Sequence, residues 1–500
     1  MTKINVRSEV KKACDILRRD DGTSSANDYM EQLSWLLFLK IFEGIEKQQE
    51  EITNLKGEKY EPVIEYKFRW SNWANKDWIG KPRESLKEFV EDVDNILKVI
   101  GKQENAVIYF IDNVLFPYLR SLKGSLEKEK IAQLFSEISG NKVRSAYNLM
   151  DVIDKIKNID PNNYEDTHVL SQFYEELLLN MGSEAGWTGE FYTPRPVIKF
   201  IVKVVNPDIK DKILDPFVGS GGFLIEAYKH ITKKLGRSMT KKEYEKLQTS
   251  TFYGIEKKPL PYLIGTMNLI LHGLLKPNIV RRNTLQEDVH NVSEDNKFSI
   301  ILTNPPFGGE ENKNVQNNFL YPIQATEALA LQYIMRKLAD NGRVGMVLPE
   351  GQIMFGSGKF MEIRKELLEK FNVTAIVSLP QGVFTSMGAG VKTCLLFFQK
   401  DGNPTKEIWY YEIEGKFTKK QIIKPEHFED ALKKIKTREI SENSWIAPID
   451  EIKNNNYDLT PKNPNKKEEF EFIEPKELLN EIETIDYEVD KIIKEVREVL

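Results

Sequence analysis

The sequence predicts an α/β fold, a mostly parallel sheet covered by helices on both faces, with an all-helical N-terminal domain before it and a helix at its C-terminal end. Three observations lead there. Apolar residues recur at helical spacing from Val6 to about Asp160. From about residue 189 to 400 short, near-continuous apolar runs alternate with amphipathic stretches, the pattern of strands buried on both faces and joined by helices. The last hundred residues are more charged and finish in a heptad. The expected division is a helical domain over 1–165, a catalytic domain over 166–400 and an extension over 401–500. A chain of 500 residues exceeds one ordinary core, so several domains are expected.

In the first region the clearest helix is LSWLLFLKIFEGIEK (33–47), with Leu33, Leu36, Leu37 and Ile41 on one face. Around 51–83 the pattern loosens into an aromatic, loop-like stretch. Trp70, Trp73 and Trp78 there are either a stacking surface for bases or packing beneath a long loop. In the second region the expected strands are KILDPF (212–217), TFYGIE (251–256), FSIILTNPP (298–306), GRVGMVLP (342–349), VTAIVSLP (373–380) and TCLLFFQ (393–399). In the third, apolar residues run Leu478, Ile482, Ile485, Val489, Ile492, Val496 and Val499, spaced 4, 3, 4, 3, 4 and 3 with charges between them. Such a seam must be buried, against this chain or against a separate one.

Composition narrows the function. At 40% hydrophobic and 29% charged the chain has the material for a large globular core. No stretch of 18 apolar residues occurs, and the opening MTKINVRSEVKK lacks the apolar core of a signal peptide, so a cytoplasmic protein without membrane contact is expected. Two cysteines, Cys14 and Cys394, make no disulfide framework and no CxxC pair, and five scattered histidines make no metal cluster. The net charge of −5 argues mildly against a chain that grips duplex DNA unaided.

Chemistry concentrates in three places. DPFVGSGGF (215–223) follows the first apolar strand, and its glycines let backbone approach a ligand at the strand's carboxyl end. Taken alone it is ambiguous, because a plain tight turn or a dinucleotide site has similar glycines, although the third glycine of GxGxxG is absent. Glu256 ends the next strand, where a carboxylate can accept the ribose hydroxyls of an adenosyl cofactor. TNPPF (303–307) ends another strand. Its two prolines make a stiff turn lacking backbone donors, Asn304 adds a side-chain carbonyl and Phe307 a ring face. Together these can accept both hydrogens of an aromatic amine and stack on its ring.

In the order GEFYTPR (189–195), DPFVGSGGF, YGIE, TNPPF, these motifs resemble the amino-methylating DNA methyltransferases of the gamma arrangement. NGRVGMVLPEG (341–351), SLPQGVF (378–384), the YDL at 457 and the helical N-terminal domain make the chain most similar to the modification subunits of type I restriction–modification systems.

The resemblance implies an S-adenosylmethionine-dependent methyltransferase fold and methyl transfer to the exocyclic amino group of adenine in double-stranded DNA, with the base flipped out of the helix. It further implies that Glu190, Phe191, Tyr192, Thr193, Pro194 and Arg195 flank S-adenosylmethionine. Asp215, Ser220, Gly221 and Gly222 would hold its methionine end and Glu256 its ribose. Asn283 or Thr284 would lie near its adenine, with Asp288 a competitor for that place. Asn304 and Pro305, with Pro306, would accept the amine's hydrogens, and Phe307 would stack on the base. The implied partners are DNA, a specificity subunit, a second copy of this chain and a restriction subunit. The competing activities are glutamine methylation in proteins, whose motif usually ends NPPY, and stand-alone DNA adenine methylation.

Three stretches carry weaker signals. MGAGVKT (387–393) has Val391 between Gly390 and Lys392 and so lacks the Gly-Lys-Thr of a phosphate loop. Residues 308–324 form either a lid that orders on DNA or a mobile loop. The lysines of 229–246 read as a solvated helical hairpin.

Overall fold

The computed structural model describes residues 6–55, 57, 59–157, 159, 193–384, 391–418, 421–466 and 489. Glu190, Phe191 and Tyr192, most of MGAGVKT, and the heptad stretch apart from Val489 lie outside the described residues.

Val6–Lys157 forms helices and, among the described residues, no strand. Its longest helix, Ala26–Leu55, buries Leu33, Trp35, Leu36, Leu37 and Ile41, as its spacing predicts. Trp70, Trp73 and Trp78 are buried. Trp70 meets Trp73 edge-on at 5.0 Å, and Trp78 stacks on Phe110 at 5.0 Å. The tryptophans are therefore packing, and no face of theirs is left for bases.

Among the described residues nine strands form one sheet, in the order β3-β2-β1-β4-β5-β7-β6-β8-β9. They are β1 (Ile213–Asp215), β2 (Phe252–Glu256), β3 (Asn278–Arg281), β4 (Phe298–Thr303), β5 (Leu338–Pro349), β6 (Asn372–Leu379), β7 (Thr393–Gln399), β8 (Glu407–Glu412) and β9 (Ser444–Pro448). β1 to β5 pair in parallel, whereas β7 lies antiparallel between β5 and β6. All six expected strands are present. The sheet also runs past residue 400, with β8 parallel to β6 and β9 antiparallel to β8. The segment 401–466 thus extends the sheet before the heptad begins.

Strand alternation divides the core into two faces. Ile213, Ile300, Leu302 and Val347 join one apolar cluster with the helices Arg195–Val205, Gly222–Leu235 and Pro259–Leu271. That cluster continues into the helical N-terminal region. Leu214, Ile301, Met346 and Leu348 face the other cluster, beneath the helices Thr326–Lys337 and Lys359–Lys370. Layers of helix, sheet and helix result, as the near-continuous apolar strands require.

Strand order reverses between β1 and β4. β2 and β3 lie on one side of that point, β4 and β5 on the other, so their connections diverge and leave a crevice at the carboxyl ends.

Candidate active site at the strand switch point

The turn after β1 is shaped by its packing. Gly219 and Gly221 have φ of 51° and 80°, the left-handed region that glycine enters without strain. A Cβ on Gly221 would stand 3.2 Å from the carbonyl oxygen of Gly265. One on Gly222 would stand 2.6 Å from Ile198 and 2.8 Å from Arg195. These two glycines therefore let the turn press against the helices Pro259–Leu271 and Arg195–Val205, in addition to any ligand's approach. Asn268 fixes the turn from behind, its Nδ2 donating to Ser220 O at 2.8 Å. Arg195 Nη1 donates to Gly222 O at 3.1 Å and so ties the start of the helix Arg195–Val205 to the same turn.

Two carboxylates face this region from strand ends. Asp215 is fully buried. Its Oδ1 accepts Thr303 Oγ1 at 2.7 Å and the N–H of Phe217 at 3.1 Å, while Oδ2 has no partner. Burial pushes its pKa up to about 7, against the two hydrogen bonds, and the Glu256 charge adds to the rise. Glu256 accepts the N–H groups of Gly219 at 2.9 Å and Lys258 at 2.8 Å. Burial raises its pKa too, and those N–H groups oppose the rise.

Beside them opens a cleft of about 510 Å³, walled by Pro216, Phe217, Glu256, Asn283, Thr284 and Pro306. Asn283 begins a short 3₁₀ turn and its Oδ1 accepts Leu285 N at 3.1 Å. Thr284 Oγ1 donates to Pro216 O. Asp288 instead turns to His290 at 2.7 Å, with its side chain 70% exposed, and does not wall the cleft. Of the three polar candidates in this stretch, Asn283 and Thr284 wall the cleft and Asp288 does not.

TNPPF closes the opposite side. Asn304 is buried, and its Nδ2 donates to Thr193 Oγ1 at 3.0 Å. Its Oδ1 is left with no partner. Phe307 is half-buried and meets Phe384 of SLPQGVF edge-on, with centroids 6.3 Å apart. The segment after it is folded onto the body. Gly309 O accepts Thr326 N at 3.0 Å, Gln332 brackets Tyr321, and Phe319 is buried.

Sequence reasoning missed four residues here. Thr303 stands in TNPPF with no role of its own and Asn268 in no motif, yet one holds Asp215 and the other the glycine turn. Glu311 and Thr326 help wall the cleft, and Glu311 pairs with Lys257 at 3.5 Å across it. Their partners are distant in sequence, which no local pattern reveals.

An unpartnered buried carboxylate oxygen beside a second buried carboxylate calls for a ligand that brings hydroxyls or positive charge. S-adenosylmethionine, with its ribose hydroxyls, ammonium and sulfonium, fits that demand. The fold and site define an S-adenosylmethionine-dependent methyltransferase that acts on an amino nitrogen.

Comparison with known proteins gives the particular family. The N-6 DNA Methylase family matches residues 165–472, and the HsdM N-terminal domain family matches residues 6–156. The type I restriction enzyme EcoEI methylase subunit of Escherichia coli is 35% identical over 99% of this chain and 98% of its own length. The crystal structure of a modification subunit of a putative type I restriction enzyme from Vibrio vulnificus YJ016 superposes with a TM-score of 0.79, at 35% identity over 93% of this chain and 98% of that one. A chain solved in work on assembly and conformational transition of the type I R-M system gives a TM-score of 0.78, at 39% identity over 100% and 99%. The chain belongs to the family of type I restriction–modification methylase subunits. It is an adenine-specific DNA methyltransferase with S-adenosylmethionine as methyl donor.

Proposed function

We propose that the crevice between β1 and β4 methylates a flipped-out adenine, with Asn304 and the prolines after it receiving the amine. The observation that carries this is the buried, unpartnered Oδ1 of Asn304, oriented by Thr193. Accepting the amine's hydrogens there, and on the carbonyls around Pro305 and Pro306, returns lone-pair density to a nitrogen otherwise delocalised into the ring. Phe307 offers its ring as a stacking surface for the base.

S-adenosylmethionine, when bound, supplies an already activated methyl group on a sulfonium. Asp215, Ser220, Gly221 and Gly222 would hold its methionine end, Glu256 its ribose, and Asn283 with Thr284 its adenine. Thr193, Pro194 and Arg195 would close the pocket together with Glu190, Phe191 and Tyr192. The chain's task is then to align acceptor and donor and keep water away. Extrahelical placement of the adenine costs a few kcal/mol of stacking and pairing. Substituting 2-aminopurine for the target adenine tests that step. Its fluorescence rises on binding when the base leaves the stack, and an unchanged signal in a methylation-competent complex overturns it.

We further propose that this chain leaves the choice of site to a separate specificity subunit, in a complex holding a second copy of this chain and, for cleavage, a restriction subunit. The sequence supports this with the heptad from Leu478 to Val499, a seam suited to the long helices of a partner. A net charge of −5 agrees with a chain that does not hold DNA alone. We keep a helical domain over 1–165 and a catalytic domain from 166, which runs past the expected boundary at 400 because β8 and β9 belong to its sheet, with the extension following it. A cytoplasmic location fits a partner of DNA. Among the described residues no helix is long and apolar enough to cross a membrane.

A further inference from the structure

A second cleft, of about 740 Å³, lies away from the active site, and none of its walls is shared with the cofactor cleft. One side comes from the helical region: Phe38 and Phe42 on the helix Ala26–Leu55, and Ile131 and Leu134 on the helix Leu126–Glu137. The other side comes from the methyltransferase unit and includes Ile270 and Ile279. A seam between two folded units is a usual place for a small-molecule site.

The wall is mainly apolar, but Lys130 stands in it. Its Nζ donates to Pro277 O at 3.1 Å and Asn278 Oδ1 at 2.9 Å. Both acceptors are neutral, and among the described residues no carboxylate pairs with this ammonium. The nearby Glu127 is committed to Lys276 at 2.8 Å. An ammonium has three hydrogens, so one donor remains over. Burial presses the Lys130 pKa down, the Glu127 charge opposes the fall and the Lys276 charge adds to it.

We propose that this seam cleft binds a small amphipathic monoanion, a carboxylate carried on an apolar chain or ring. The apolar body would lie among Phe38, Phe42, Ile131 and Ile279, and the carboxylate would take the remaining hydrogen of Lys130. Such a ligand touches both folded units at once and therefore stiffens their junction.

The test uses the full chain and three probes of equal apolar length: octanoate, octanol and octyltrimethylammonium. Calorimetric titration should show one octanoate per chain, bound at least about tenfold more tightly than octanol, the scale of one charge-assisted hydrogen bond. The cation should not bind. Octanoate should raise the thermal midpoint, and saturating S-adenosylmethionine should not displace it. Lys130→Met should abolish the preference for octanoate over octanol while octanol affinity stays. Thr266→Leu, which narrows the cleft from the methyltransferase side, should weaken both, with cofactor affinity serving as the check that the variant is folded. Equal binding of octanoate and octanol, no binding of either, displacement by S-adenosylmethionine, or indifference to Lys130→Met each overturns the proposal.

Discussion

Asn304, Asp215 and Glu256 are buried polar groups whose partners are incomplete or strained by burial, and each predicts a different loss. Asn304→Ala removes the unpartnered acceptor and leaves the carboxylates untouched. Methyl transfer to DNA should fall by at least about a hundredfold, the scale for one positioned catalytic hydrogen bond, while calorimetric S-adenosylmethionine affinity holds. Near-normal transfer would remove Asn304 from the reaction. Glu256→Ala should weaken cofactor binding by roughly 1–3 kcal/mol, since hydrogen bonds to a charged acceptor are lost. Unchanged affinity would place the ribose elsewhere. Asp215 gives a pH dependence whose sign follows from burial. With its pKa pushed up to about 7, the carboxyl is neutral and protonated at pH 6 and charged at pH 8. Affinity for a cationic ligand should therefore rise across that interval, and Asp215→Asn should flatten the rise. The same shift means that the folded protein without ligand retains a proton that the unfolded chain releases. Asp215 thus favours folding less and less as pH climbs from the ordinary carboxylate value of 3.8 to about 7.

Among the elements, those legible in the sequence were the ones whose signal is local. The six expected strands are runs of apolar residues ended by turn residues, and every one is in the sheet. The glycine turn and TNPPF announced themselves by residue type alone. β8 and β9 did not, because the charged segments around EIWYYE and SWIAP masked two short strands whose reason for existing is the edge offered by β6. β3, NIVR, has two exposed residues out of four and carries no pattern of its own. Thr303, Asn268 and Glu311 were illegible for a related reason, since each acts on a residue far away in the chain. The glycine turn itself allows a test. Gly221→Val combines a φ of 80° with a Cβ only 3.2 Å from a backbone oxygen of the helix Pro259–Leu271. Strain of this kind costs about 1–3 kcal/mol, and it should appear both as a lower urea midpoint and as weaker cofactor binding. Full cofactor affinity in a destabilised variant would mean that the turn serves packing alone.

In the whole molecule, the helical region grips the far edge of the sheet through Glu127–Lys276 at 2.8 Å and Glu137–Arg281 at 2.7 Å. Arg281 immediately precedes the stretch that walls the cofactor cleft. At the opposite end, Arg364 is completely buried and gives its hydrogens to the carbonyls of Gln352, Ile353, Gly356, Asn456 and Tyr457. It thereby fastens the YDL stretch to the catalytic body, just ahead of the heptad. Deleting 475–500 should leave a chain that folds and binds S-adenosylmethionine, because those residues follow that anchor. The truncated chain should fail to co-purify with the specificity subunit and should lose site-specific methylation in the same step. A truncated chain that still assembles and methylates its site would take the docking role away from the heptad.

The placement of β7 governs how the sheet can be assembled at all. Every hydrogen bond joining β1–β5 to β6, β8 and β9 passes through that one strand, and it is made after both of its neighbours. While the polypeptide is being synthesised, β5 and β6 therefore wait with open edges, each long and apolar enough to recruit a stranger. A nascent chain stalled just short of Thr393 presents two such edges at once. One that has emerged through Gln399 can join them with a single strand, so seven residues separate a seven-stranded sheet from five paired strands and a lone sixth.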